Sequence, residues 1–376
     1  MRPLAQTFSA MRSRASLFGT CVLLLAFAVA TTASASGEKL TGAVWDFKSN
    51  ESCTTVRLDQ QPPLSRIPIT NQGGLPNCGA HSTATLLDFE RFSRNPDAKG
   101  FVSPMLLTAE YIASIGGKNF NAAGDPIDMA FAALRPYVNH CDRTLLENEL
   151  AVDWARLGSA LYDAQDQRRP DLLAQALARA RFPGGMASNL RPTIEYVNVP
   201  FHTGLSALVN DLCKGAKLAP PPPLKVEFRV LNHVLPAHGG SAMRAQLDFR
   251  RTVDSRLEKG LPTGINYCGL IRSDPNVLGL NHLGRIASTC RDPDTFSLGH
   301  SSVIAGRRLL TYRKPSGGEG KICQYLVRDN YGTGYCRKFP DDPDTVPPQR
   351  CENGQIWIDE DALFTNTAEL FWYSPK

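Results

Sequence analysis

The chain has 376 residues, 42% hydrophobic and 20% charged, enough for one large domain or for two lobes sharing a core. Its formal charge of +5 falls to +2 once Arg2, Arg12 and Arg14 are set aside with the N-terminal leader described below. That excludes a strong basic field. The pairs Arg168-Arg169, Arg250-Arg251 and Arg307-Arg308 read as solvated faces, so nucleic acid is not an expected partner.

Residues 1–35 carry those three arginines and no acid, then an apolar run from Leu17 to Val29, then the small-x-small site Ala33-Ser34-Ala35. They read as a secretory signal peptide removed near Ala35. The run is too short to cross a bilayer, and no later stretch approaches the roughly 20 apolar residues a membrane helix needs. A secreted or periplasmic protein without an integral membrane segment is expected. Cys21 leaves with the leader, and Cys53, Cys78, Cys141, Cys213, Cys268, Cys290, Cys323, Cys336 and Cys351 remain. That set is odd, so in an oxidising compartment one thiol is left over when the others pair. No CxxC or other zinc-like spacing occurs, and neither a metal nor another cofactor is expected.

The stretch "NQGGLPNCGAHSTATLLDFERF" (Asn71 to Phe92) begins as a turn and continues as a broad apolar helix carrying Ala80, Ala84, Leu86, Leu87 and Phe89, with Asn77 as its N-cap. Cys78 therefore falls on the first helical turn. Unpaired N–H groups and the positive end of the helix dipole favour thiolate there, although a disulfide cysteine at a helix start is the plainer reading of an isolated residue. Gly116-Gly117 reads as a turn. Ala151 to Arg181 reads as helical. "LAPPPPLKVEFRVL" (Leu218 to Leu231) is a polyproline run feeding an alternating strand with Val226, Phe228 and Val230 on one side. "SLGHSSVIAG" (Ser297 to Gly306) leads His300 into an apolar strand, and "YLVRDNYGTGYC" (Tyr325 to Cys336) follows. Asp341 to Gln349 is acidic and proline-rich between Cys336 and Cys351, a pair that would staple it. "GQIWIDEDALF" reads as a strand and then a short helix. His140, His202, His233, His238 and His282 read as surface or satisfied core residues. His81 at i+3 packs near the thiol but cannot stand across a cleft from it.

Together these stretches resemble the papain-like cysteine peptidases. In that family a glutamine within an N-Q-G turn precedes the catalytic cysteine by six positions, as Gln72 precedes Cys78, and Ala80 and Ser82 also match. The resemblance implies Cys78 as nucleophile, His300 as base, and Gln72 with the Cys78 N–H as donors to the oxyanion. Aligned without a gap on Gly332-Thr333-Gly334, the residue that orients the imidazole is Asp329, with Asn330 as the alternative. In this register Asn330→Ala is expected to do much less than loss of Asp329. Tyr331 stands where the family has a tryptophan. Gly116 and Gly117 lie at the distance of a Gly-Gly pair that lines the substrate cleft. Two nearby positions depart from the pattern: Gly79 replaces a tryptophan and Leu75 a half-cystine.

The implied fold is α+β and two-lobed: a helical lobe headed by the Cys78 helix, and a β-rich lobe bearing His300 and Asp329. The signal peptide covers 1–35 and the peptidase domain 36–376, including a large mid-chain insertion at about 140–290, since Cys78 and His300 lie farther apart than a compact family core requires. Residues 36–71 are too few for the family's usual inhibitory pro-segment. The implied activity is that of a secreted cysteine-type peptidase acting on protein or peptide substrates. The alternatives are a papain-fold amidase or acyltransferase on non-protein substrates, and a catalytically retired binding module.

Overall fold

The computed structural model describes residues 53–73, 75–118, 125–135, 142, 154–180, 186–214, 217–230, 240–269, 299–313, 318–338 and 351–376. The expected signal peptide, the stapled loop at 341–349, and His140, His233, His238 and His282 lie outside these residues.

Helix α1 (Cys78–Arg94) is buried almost all round from Cys78 to Phe92 because it runs between two cores. Ala80, Ala84, Leu86 and Leu87 join one cluster with Met105, Leu106 and Ile112 of α2 (Pro104–Ile115) and Ile127, Met129 and Ala130 of α3 (Pro126–Ala133). Phe89 and Phe92 enter a second cluster made mainly by the sheet. Helices α2 and α3 start where their caps place them: Ser103 accepts from the Leu106 N–H and Asp125 from those of Ile127 and Asp128, each cap being followed by proline. The buried charged pair of α1 is satisfied within the protein. Asp88 meets Arg91 at 2.7 Å and accepts the Val102 N–H, while Arg91 reaches the Lys99 and Gly100 carbonyls.

The helical stretch expected over Ala151 to Arg181 is two helices, α4 (Trp154–Asp166) and α5 (Pro170–Arg179), parted at Arg168, whose φ of 54° ends the first. They are followed by α6 (Thr193–Val197) and α7 (Phe201–Cys213). Leu161, Leu173, Leu205, Leu208 and Leu212 bury into the same cluster as α2 and α3. These helices therefore extend the helical layer rather than build a core of their own. No helix among the described residues is long and apolar enough to cross a membrane.

An antiparallel sheet completes this α+β fold. Its strands are β1 (Val56–Arg57), β2 (Leu224–Val230), β3 (Thr263–Cys268), β4 (Gly299–Arg313), β5 (Glu319–Arg328), β6 (Cys351–Glu352), β7 (Gln355–Asp359) and β8 (Thr367–Pro375). Their order is β2-β8-β3-β4-β5-β7-β6, with β1 also paired to β4. Close approach of β1 demands the glycine at 306: a Cβ there would stand 2.6 Å from the Val56 carbonyl oxygen. The alternating strand expected after the polyproline run is β2, yet its apolar side is only half covered. Phe228 and Val230 each remain 43% exposed, and Phe228 meets Phe131 of α3 edge to face. Disulfides join Cys53 to Cys323 and Cys336 to Cys351.

Helix α8 (Gly240–Glu258) packs Phe249, Val253 and Leu257 onto the sheet and carries a buried charge network. Arg307 of β4 and the Tyr325 hydroxyl of β5 both bond Asp254, and Arg250 lies 2.9 Å from Glu360 at the start of α9 (Glu360–Thr365). Burial pushes the Glu360 carboxyl up to about 7 in spite of that guanidinium. The folded protein thus keeps a proton that the unfolded chain releases near the ordinary carboxylate value, so stability should fall as pH rises from about 4.5 to about 7. Glu90, Asp361 and Glu369, also raised chiefly by burial, add to the same trend. Glu360→Gln should make that decline shallower when urea midpoints are measured across this range; an unchanged decline would assign it to the other carboxyls alone.

Candidate active site

Cys78 opens α1 with its side chain buried. It is the free cysteine among the described residues, since Cys53, Cys213, Cys268, Cys323, Cys336 and Cys351 are all disulfide-bonded. Asn77 occupies the N-cap position but does not act as the expected cap. Its Nδ2 donates to Thr108 Oγ1 on α2 (3.3 Å), tying the helix start to its neighbour and leaving the first-turn N–H groups to other partners. Sulfur takes up part of that vacancy. Burial pushes the Cys78 thiol up, but a hydrogen bond to His300, the charge of that imidazole, and the backbone N–H groups of Ser301 and Gly79 outweigh it, so the thiol titrates below its ordinary value.

His300 is carried by β4 directly opposite Tyr267 of β3. Its Nε2 lies 2.7 Å from Asp329 Oδ1, both residues being buried, which leaves Nδ1 to face the thiol. The ring is held between aromatics, with Tyr331 stacked on it (centroids 5.5 Å, 17° between planes) and Tyr267 edge-on (5.7 Å, 85°). Asp329 Oδ1 also accepts the Asn330 N–H at 2.8 Å, with Ser302 Oγ at 3.5 Å. Of the two neighbours, Asp329 is the one that meets the imidazole. The Asn330 side chain turns the other way, donating to the Ser301 carbonyl (2.7 Å) and the Cys78 carbonyl (3.3 Å).

Gln72 is bound to the same corner through its backbone N–H, which donates to Asn330 O (2.8 Å); beside it Asn71 bridges to Tyr331, and the Gly332 N–H donates to Thr70 O (2.8 Å). Gln72 Nε2 donates to the Leu75 carbonyl (2.8 Å). Leu75, where the family has a half-cystine, thus orients the glutamine amide through its carbonyl and packs its side chain on the helical core. At Gly79 a Cβ would stand 3.2 Å from Pro126 Cα, so the start of α3 occupies the room a tryptophan side chain would need.

Of the other sequence candidates, Gly116 and Gly117 lie at the end of α2. Gly116, at φ 66°, caps α2: its N–H donates to Ala113 O and that of Gly117 to Ile112 O, on an exposed turn. His81 is buried one turn along α1, and His202 lies in the first turn of α7. Three contributors carried no readable signal in the sequence. Tyr267 and Ser302, whose hydroxyls lie 3.1 Å apart, reach the site only through the β3–β4 register, and Ser301 donates to Ser82 Oγ on α1 (3.0 Å) across the two layers. Chemically the assembly holds a thiol biased toward thiolate, an imidazole bonded to both that thiol and a carboxylate, and N–H donors around them.

No family model and no curated protein matches the chain. Similar solved structures include SERA5E from Plasmodium falciparum (11% identity over 84% of this chain and 94% of that one, TM-score 0.42). They also include the cysteine protease and lectin-like domains of Cwp84, a surface layer associated protein of Clostridium difficile (12% identity, 86% and 54%, TM-score 0.40). A third is recombinant stem bromelain precursor (8% identity, 88% and 74%, TM-score 0.39). With every one of these TM-scores below 0.5, the functional assignment rests on the contacts around Cys78.

Those contacts make a direct prediction. Iodoacetamide should modify Cys78 in the folded protein, mapped by mass spectrometry, with a pH inflection below the ordinary thiol value of 9.0. His300→Ala should move the inflection upward, because burial then acts on the thiol without its main opposing partner. Modification at another cysteine, or an inflection unmoved by the substitution, would contradict the arrangement.

Proposed function

We propose that this chain is an exported papain-like cysteine peptidase that hydrolyses peptide bonds through Cys78, His300 and Asp329, with Gln72 and the Cys78 N–H as oxyanion donors. The observation that carries this is His300, bonded at once to a free, helix-opening thiol and to the buried Asp329 carboxylate at 2.7 Å. The Cys78 thiolate attacks the substrate carbonyl carbon, and the carbonyl electron pair moves to oxygen, where Gln72 Nε2 and the Cys78 N–H donate. As the tetrahedral adduct collapses, the C–N bond breaks and the imidazolium of His300 passes its proton to the leaving amine. The acyl group remains on sulfur as a thioester. His300 then takes a proton from water, the hydroxide attacks the thioester, and the acid departs as thiolate and imidazolium are restored. Asp329 accepts the hydrogen bond of the Nε2–H throughout and holds the ring toward sulfur.

Hydrolysis of a denatured protein, measured beside cell-wall muropeptides, tests the substrate class. Cleavage of the protein substrate, abolished by Cys78→Ser, is expected. Cleavage of muropeptides alone would place the same residues in a non-protein amidase, and no turnover of either, together with an unreactive Cys78, would indicate a retired site. Gln72→Ala should lower kcat by roughly 10²–10³ with KM little changed, the size of effect expected from losing one oxyanion donor; a change confined to KM would make Gln72 a substrate-positioning residue. Asp329→Asn should retain more activity than Asp329→Ala, because an amide oxygen can still accept the His300 N–H, and equal losses would mean that the negative charge matters more than the bond.

A further inference from the structure

Asn330 is bonded to every segment that supplies the proposed site. Its side-chain Nδ2 donates to the Ser301 carbonyl (2.7 Å) and the Cys78 carbonyl (3.3 Å), with Ser82 Oγ at 3.5 Å. Its backbone N–H donates to Asp329 Oδ1 (2.8 Å), and its backbone carbonyl accepts the Gln72 N–H (2.8 Å). The residue is 3% exposed, so water cannot replace these bonds without opening the site. Ser301 directly follows His300 on β4, and Cys78 and Ser82 lie on the first two turns of α1. The amide therefore spans the seam between the helical layer and the sheet at the place where thiol and imidazole meet. Across that seam neither helix nor strand hydrogen bonding holds the two elements together. Besides the thiol's own bonds to His300 and Ser301, Ser301 Oγ donates to Ser82 Oγ across it at 3.0 Å.

We infer that Asn330 is a positioning residue whose side-chain amide clamps the start of α1 to β4 and so keeps the Cys78 sulfur within hydrogen-bond reach of His300. This rests on the peptidase reading above. The role is distinct from orienting the imidazole, which Asp329 performs, and it requires a donor: the Ser301 and Cys78 carbonyls can only accept, and the two hydrogens of Nδ2 serve them. A carboxylate of the same shape would set negative oxygen against those acceptors and push the helix start away from the strand, while both backbone bonds of residue 330 stay in place. A shift of about 1 Å at that seam is enough to cost a well-aligned reaction on the order of 10²-fold.

The test is the pH dependence of Cys78 alkylation by iodoacetamide in Asn330→Asp and Asn330→Ala, with thermal midpoints and peptidase kcat and KM recorded alongside. In Asn330→Asp the inflection should rise toward the ordinary thiol value, alkylation near pH 6 should slow about tenfold for each unit of that rise, and kcat should fall while KM holds. Asn330→Ala, which removes the donor without adding charge, should move the inflection in the same direction by less. A lowered thermal midpoint with the inflection where the unsubstituted protein has it would overturn the proposal, leaving Asn330 a packing residue. Should Asn330→Asp fail to fold, the inflection of Asn330→Ala decides alone. If the unsubstituted protein itself lacks a lowered inflection, the peptidase reading fails first; if it has one and the variants keep it, only the role of Asn330 fails.

Discussion

Everything proposed for this protein depends on one docking contact, the first turn of α1 against the opening residues of β4. A thiol at a helix start is a weak acid unless something cancels the cost of burying its charge. Here the cancelling groups come from the opposite layer: the His300 imidazole and the Ser301 N–H, with the Gly79 N–H from the helix itself. The helix terminus contributes because Asn77, in the capping position, makes no side-chain capping bond, its Nδ2 being turned to Thr108. If α1 were drawn away from the sheet, the sulfur would lose its His300 and Ser301 partners.

The surroundings of His300 follow from the same constraint. An imidazole that must bond a thiol on one side and a carboxylate on the other has only its faces left for packing, and Tyr331 and Tyr267 take those positions. Their bulk excludes water from the 2.7 Å bond to Asp329, where a lower local dielectric strengthens the interaction. Tyr331 is itself stacked on Tyr335, which lies in the short 3-10 helix Thr333–Lys338 beside Cys336, and the Cys336–Cys351 disulfide ties that helix to β6. Aromatic packing thus links the site to a covalently tied segment.

The mid-chain helices bear on function through the core. Leucines from α4, α5 and α7 share a cluster with α2 and α3, and α3 in turn presses Pro126 against Gly79 next to the thiol. Helices α4, α5 and α7 thus belong to the layer that supports α1. The glycine at position 79 is part of the same packing arrangement: it stands where α3 comes in close, and α3 packs in one cluster with those helices.

Contiguous residues carried much of this. An odd cysteine count, turn residues before an apolar helix, a histidine entering a β-branched strand, and the strand-then-helix pattern at Gln355 to Thr365 are local signals, and local backbone preference together with side-chain periodicity suffices to read them. They placed Cys78 at a helix start and His300 at the start of a strand, while the resemblance to papain-like peptidases singled out those two residues and implied the α+β class. Packing decided the rest. Asp329 and Asn330 are adjacent on an extended stretch, where successive side chains point to opposite sides, and only the β4–β5 pairing settles which of them meets the imidazole. Asn77 carries a capping residue's chemistry, yet its side chain is turned to Thr108 on α2 and makes no capping bond. The apolar side of β2 promised burial, yet Phe228 and Val230 stay half exposed because the sheet ends there. The sequence by itself determined which residue types and local elements were present. Tertiary structure alone decided which neighbours they face, because hydrogen bonds and burial depend on groups hundreds of positions away, as Ser82 and Ser301 are across the seam.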